Sequence, residues 1–301
     1  MPCLANCYVF RQVISLDVRT NLSSGVGVTT RVARTATDDE TIEIRYVHIL
    51  NRVLPPMIRV LAWCPVDHSF SARFSCTSRT YKYFFPRGQL DVDLMRSAAR
   101  LLIGEHDFRN LCKMDVGNGV VNYRRAISQV DLTVSDDDAD GYEMCELTIV
   151  GQAFLWHQIR CIVSILFLVG QQREPPAVVS ELLDVERRPR KPQYTMASEV
   201  PLVLFSCCYD NCDFEWLQDE DRGDVVKTLQ TLWTQAAVRQ TVIRRMLQDL
   251  TKESSCSMRQ QADCLVPGNQ VRNYKPLFDR QLCESLEDRV HHYSTKRRRV
   301  R

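Results

Sequence analysis

The chain has almost no net charge. Its 39 Lys and Arg stand against 37 Asp and Glu, leaving +2 over 301 residues. Composition therefore does not mark a nucleic-acid binder, and any basic surface has to be local. The thirteen cysteines include no paired CxxC unit, and the cluster Cys207, Cys208 and Cys212 lacks zinc-ligand spacing. The opening residues MPCLANCYVF have neither a basic stretch nor a long apolar core, so no secretory leader is predicted. Reduced thiols in an intracellular protein are the expectation, many of them packed as small hydrophobes. No repeat of fixed period is present. A membrane-length apolar run is missing too. The nearest approach, residues 154–170 (FLWHQIRCIVSILFLVG), is too short and carries His157, Gln158 and Arg160 in its first two turns.

That run is the centre of what is there. Its composition predicts a buried helix with Gly170 as C-terminal cap. Arg160 then enters a folded interior on a mostly apolar helix. A guanidinium does not deprotonate to escape burial, so it needs an acceptor.

Along the chain, residues 12–18 alternate as a strand, and the polar residues 20–39 read as a loop. Residues 42–54 predict a helix stopped by Pro55 and Pro56, followed by a short apolar strand at 58–65. In residues 69–85, Arg73, Arg79 and Lys82 are interleaved with Phe70, Phe74, Tyr81, Tyr83, Phe84 and Phe85, with Tyr81 and Tyr83 on one strand face. Cations for phosphate and rings for bases suit a flipped or single-stranded nucleotide. A strand whose aromatics line a core and whose basic groups are solvated fits the same pattern. Residues 91–103 predict an amphipathic helix with Leu94, Ala98 and Leu101 on one face. His106 reads as a corner histidine or a catalytic one. Residues 124–134 and 142–150 predict a hairpin with an acidic tip. Pro175 and Pro176 open a helix running to Val185, residues 201–209 form a last strand, and 225–250 are helical. Residues 252–272 are expected to be mobile. The basic run 296–299 is either a nuclear import signal or a solvated tail.

Several of these pieces together resemble the TruA family of tRNA pseudouridine synthases. The likeness is to the eukaryotic branch acting on uridines 38/39, on the 3′ side of the anticodon stem-loop. The matching residues are Gln12-Val13-Ile14-Ser15-Leu16-Asp17, Phe70-Ser71-Ala72-Arg73-Phe74, Arg79-Thr80-Tyr81-Lys82-Tyr83 and the run from His106 to Asp115. Residues 154–160 and 192–204 complete the set, in unbroken order across about residues 10–215. The resemblance implies an aspartate that attacks a flipped uridine, after which the glycosidic bond breaks, the base rotates and a carbon–carbon bond replaces it. It implies no metal or other cofactor. Tyr81 matches the tyrosine that stacks on the base, and Arg160 the arginine that pairs with the nucleophile. Arg79 and Arg73 join them as substrate-binding candidates.

The family's Arg-Thr-Asp-x-Gly-Val run has no counterpart here. Counting back from Gln12 puts Leu4 at the aspartate position, and Asp17 lies too far along the strand. Similarity begins at Phe10. The expectation is an N-terminally truncated synthase with no catalytic residue of its own, inactive as written. The alternatives are a non-catalytic tRNA- or RNA-binding remnant and an unstable fragment. The expected fold is α+β, the pseudouridine synthase fold. It is a mainly antiparallel sheet with helices on one face, in two similar halves around a cleft, the first incomplete. Residues 1–68 are the incomplete half, 69–210 the catalytic-type half, and 211–301 a helical, partly disordered extension. The expected partners are the tRNA anticodon stem-loop and a second copy of the chain, with no membrane. The expected location is nucleus, cytoplasm or both.

Overall fold

The computed structural model describes residues 8–9, 12–29, 42–135, 142–209, 214–217, 222–253, 261–266 and 273–299. In chain order the elements are β1 (Tyr8–Val9), α1 (Tyr46–Val53), β2 (Ser78–Pro86), α2 (Val92–Arg100), β3 (Gly104–Asp107) and β4 (Arg124–Val134). Then come β5 (Met144–Gly151), α3 (Gln158–Gly170), α4 (Val178–Leu183), β6 (Leu202–Cys208), α5 (Arg222–Glu253) and α6 (Leu286–Arg299). Among the described residues no helix is long and apolar enough to cross a membrane. The chain divides into two compact units, residues 1–13, 76–209 and 258–301 in one and residues 14–75 and 210–257 in the other.

The first unit is an α+β body built on one six-stranded sheet, in the order β1-β6-β2-β5-β4-β3. All pairings are antiparallel except β1 with β6, which is parallel in the register Tyr8↔Val203 and Val9↔Leu204. Alternation along the strands sends Tyr83 and Phe85 of β2, Cys145, Leu147 and Ile149 of β5, and Val130 and Leu132 of β4 into one core. α2 and α3 pack together and contribute to the same core. Phe167 of α3 meets Phe85 and Tyr83 edge-on, with ring centroids 5.1 and 6.3 Å away. Every residue of α3 is buried except Arg160.

α2 starts at Asp91, whose side chain accepts from the Leu94 amide at 3.0 Å. Its buried face is Val92, Met95, Ala98, Ala99 and Leu102. Of the expected face of Leu94, Ala98 and Leu101, Ala98 is buried and Leu94 packs half-buried against the core, while Leu101 points outward. Gly170 is the last residue of α3 rather than its cap, and the left-handed residue that turns the chain is Gln172, at φ 57°. Glycine is required at 170 for closeness, since a Cβ there would lie 2.6 Å from Met95 Sδ and 2.8 Å from its Cγ. The expected mobility of residues 252–272 does not hold for the described part. There a 3₁₀ turn, Gln261–Leu265, is followed by a buried Val266, and the Leu265 carbonyl accepts from Ser198 N at 2.6 Å.

The second unit, taken by itself, contains α1 and α5. α1 is shorter than the expected 42–54. Tyr46 meets Trp63 edge-on at 4.7 Å, and the Asn51 side chain makes both hydrogen bonds to the Val60 backbone. Two expected strands are not formed. In residues 12–18 the chain is irregular, leaving Ile14 and Leu16 68% and 61% exposed. Residues 58–65 contribute one isolated bridge, Trp63↔Leu217. Alternation supplies a candidate face, but a strand also needs a neighbouring backbone to bond. The parts of the 20–39 loop and of the acidic tip that fall at 30–41 and 136–141 lie outside the described residues, as does Cys212.

The Gly170 contact makes a prediction. Gly170→Val, whose Cβ and branch methyls overpack against Met95 and Leu90, is expected to lower unfolding stability by about 2 kcal/mol, read in a urea titration.

Candidate functional site

The site is assembled where β2, the start of α3 and residues 197–199 come together. The approach to α3 is set by a turn. Leu155 N donates to the Gln158 side-chain oxygen at 2.8 Å, and His157 takes the left-handed conformation at φ 58°. That turn leaves Arg160 one turn into an otherwise buried helix.

The guanidinium has an acceptor. Nε donates to the Ala197 carbonyl at 2.7 Å, and Nη2 lies 2.8 Å from Glu199 Oε2. The Arg160 side chain is only 16% exposed and that of Glu199 36%, so water screens this pair less than it would a surface pair. Arg160 thus has an acidic partner, though not the aspartate that the resemblance implies: Glu199 supplies the carboxylate from a position 39 residues later in the chain. Backbone bonds lock the arrangement, with Ala197 N donating to the Arg160 carbonyl at 3.2 Å and the Tyr83 hydroxyl to the Ser198 carbonyl at 3.0 Å. Burial pushes the Tyr83 phenol well up, with Arg160 opposing and Glu199 adding to the shift. Tyr83 thus stays a neutral donor.

Tyr81 lies two residues before Tyr83 on the same strand face and is half-buried. It pairs with Ile149 and Leu204, and its ring meets Phe154 edge-on at 5.2 Å. Arg79, at the entry of β2, donates to the Gln152 carbonyl at 2.6 Å. Tyr81, Arg79 and Arg160 thus share one unit. Arg73 belongs to the other, where its guanidinium carbon lies 5.3 Å from the Phe74 ring centre. His106 is structural, with Nε2 3.0 Å from the Ile103 carbonyl. Leu4, the residue at the expected nucleophile position, lies outside the described residues. The residue that sequence reasoning missed is Glu199. It sits in the 192–204 match, but nothing local distinguishes it from a solvated glutamate. Among the described residues no group of three or more His, Cys, Asp or Glu is arranged to hold a metal ion.

Comparison with known proteins gives the same direction. Residues 98–210 match the family model described as tRNA pseudouridine synthase. The chain is 45% identical over 309 residues to the tRNA pseudouridine(38/39) synthase of Bos taurus, covering 94% of this chain and 64% of that protein. To the Homo sapiens protein of the same name it is 45% identical over 310 residues, again 94% and 64%. The Saccharomyces cerevisiae tRNA pseudouridine(38/39) synthase is 42% identical over 205 residues, 68% of this chain and 44% of that protein. The chain thus spans a little under two thirds of the mammalian relatives it matches.

His157 gives this site a pH signature. Burial, then the neighbouring cations Arg160 and Lys113, bring its pKa down to about 4, and its Nδ1 is buried without a hydrogen-bond partner. Unfolded, the ring titrates near ~6.5. Between these values the unfolded chain binds a proton that the folded chain refuses. The contribution is complete above about pH 6.5 and is lost as pH falls toward 4. His157→Asn, which tolerates the left-handed backbone, is expected to flatten the pH dependence of the urea midpoint in that window.

Proposed function

We propose, for a chain that belongs to the TruA family of tRNA pseudouridine synthases in its eukaryotic branch, that its reaction class is the isomerisation of uridine to pseudouridine in the tRNA anticodon stem-loop. Residues 76–209 are the part that receives the flipped base. The observation that carries this is the ion pair of Arg160 with a carboxylate at 2.8 Å, beside the strand on which Tyr81 and Tyr83 share a face. A guanidinium held there is a fixed cation beside which a carboxylate nucleophile can stand. Tyr81 offers its ring to the extruded uracil, and Arg79 and Arg73 offer charge to flanking phosphates. β1 runs parallel to β6, so its N-terminal end and that of β6, next to Glu199, lie at the same end of the sheet.

The nucleophile is the open part of the reading. In this polypeptide the aspartate position carries Leu4, so the chain as it stands binds tRNA without converting it. Glu199 favours a second reading, in which it serves as the attacking carboxylate beside Arg160. Incubation of the purified chain with unmodified tRNA separates them. No pseudouridine, with Tyr81→Ala weakening binding about tenfold, supports the binding reading. Pseudouridine formation that is abolished by Glu199→Gln establishes the second. Absence of tRNA binding at low salt overturns both.

Pairing of two copies through α5 belongs to the same proposal. From Val226 through Leu229, Trp233, Ala236, Gln240 and Ile243 to Leu247 and Leu250, the stripe alternates steps of three and four residues. Trp233 is 72% exposed, and Val226, Leu229 and Ile243 are each more than half exposed. Ile243→Glu and Trp233→Glu together are expected to shift the sedimentation coefficient to that of a monomer. An unchanged oligomer removes α5 from the interface.

A further inference from the structure

A second feature of the first unit stands apart from Tyr81, Arg79 and Arg160, none of which lines it. It is a cavity of about 820 Å³. Its walls come from residues 112–114, the Ser164–Leu168 side of α3, Arg173, residues 191–196, Val266 and residues 273–289. Such a volume lies within the range of small-molecule sites, about 300–1,000 Å³. Its lining is strongly one-signed. Lys113, Arg173, Lys191, Lys275, Arg280 and Arg289 face one acidic side chain, Glu284.

Most of these cations are held by backbone carbonyls and aromatic rings rather than by carboxylates. Lys191 donates to the Cys112 carbonyl at 2.8 Å and lies 4.3 Å from the Tyr194 ring centre. Arg173 and Arg280 flank the Tyr274 ring, at 5.5 and 5.1 Å, and Arg280 Nε donates to the Lys275 carbonyl at 2.9 Å. Lys113 stands over the Trp156 ring at 4.5 Å. Arg289 donates to the Met114 carbonyl at 3.1 Å and lies 3.5 Å from Glu284, a largely exposed carboxylate. Among the described residues the other five have no carboxylate within ion-pair distance. The nearby Glu174 is already engaged, accepting from the Tyr274 hydroxyl and from Leu277 N at 2.6 Å. Arg173, Lys191, Arg280 and Arg289 are half-buried. Clustered like charges in a concave, low-dielectric wall repel one another and focus a positive potential into the cavity. Only an anion placed among them relieves this.

We propose that this cavity is a binding site for a compact, multiply charged phosphorylated small molecule. Arginine forks flanking an aromatic ring and lysines as point charges are the donor set that phosphoryl oxygens take. The half-buried position of four of the six cations favours a compact ligand over an RNA stem, whose convex backbone meets exposed side chains first. The site is independent of the isomerase reading.

Inorganic tripolyphosphate is the probe, titrated calorimetrically into the full chain at fixed ionic strength. Saturable one-to-one binding is expected, weakened about tenfold or more in Arg173→Gln/Arg280→Gln. Lys113→Gln/Lys275→Gln, which alters only exposed side chains, is expected to weaken it by a smaller factor and covers the case in which the first variant does not fold. Arg100→Gln, on α2 outside the cavity, is expected to leave it unchanged. Binding no tighter than that of chloride or sulfate, or equal in all variants, overturns the site. Displacement of the probe by stoichiometric tRNA hands the cavity to the RNA backbone and overturns the small-molecule assignment.

Discussion

The first unit depends on how one cation is accommodated. Bringing a guanidinium into a helix whose other residues are all buried costs several kcal/mol unless acceptors come with it. The acceptors are the Ala197 carbonyl and the Glu199 carboxylate, so residues 191–199 have to run beside α3. Once there, the strap is fastened along its length. Thr195 accepts from Ser164, the Tyr194 hydroxyl donates to the Asn110 carbonyl, and Ser198 accepts from Tyr83 and donates to Leu265. The strap then passes directly into β6, which fixes where β2 and β1 pair. An electrostatic need on one helix thus sets part of the sheet.

What the sequence made legible divides along the range of the interaction. β2, β4, β5 and α3 announce themselves through local period, and each forms over most of its expected range, α3 beginning at Gln158 rather than Phe154. Residues 12–18 carry an equally good alternation but form no ladder with any described strand, and pairing is not a local property. On α2 the expected Ala98 is buried, but Leu101 is not, and the small Ala99 and the flexible Met95 fill the space under α3 instead. Gly170 looked like a cap because it ends an apolar run. Its reason is steric, set by a methionine 75 residues earlier.

The site follows the same rule. Arg160 is identifiable as an exception in its own element, a cation in an apolar helix, whereas Tyr81, one of four rings on its strand, is singled out only by the family resemblance. Glu199 is not identifiable, because an acidic residue before a strand is unexceptional until the fold brings it to Arg160. The basic cavity was hidden more thoroughly. Its cations come from five separated stretches, and a net charge of +2 averages them against acids elsewhere. Charge in a folded chain is a spatial quantity, and composition reports only its sum.

Glu199 also bears on what Arg160 has left to offer. Nε is committed to Ala197, and the Nη2 side faces Glu199, so among the described residues Nη1 keeps its donors. A guanidinium anchored through two of its nitrogens has lost its rotamer freedom before a substrate arrives, and the ordering cost is met at folding rather than at binding. A second carboxylate approaching Nη1 would meet a fixed planar donor, with the repulsion from Glu199 reduced by the cation between them. The pair is thus compatible with a further acidic partner at the same arginine. Glu199 acts there as an anchor that holds the guanidinium aimed.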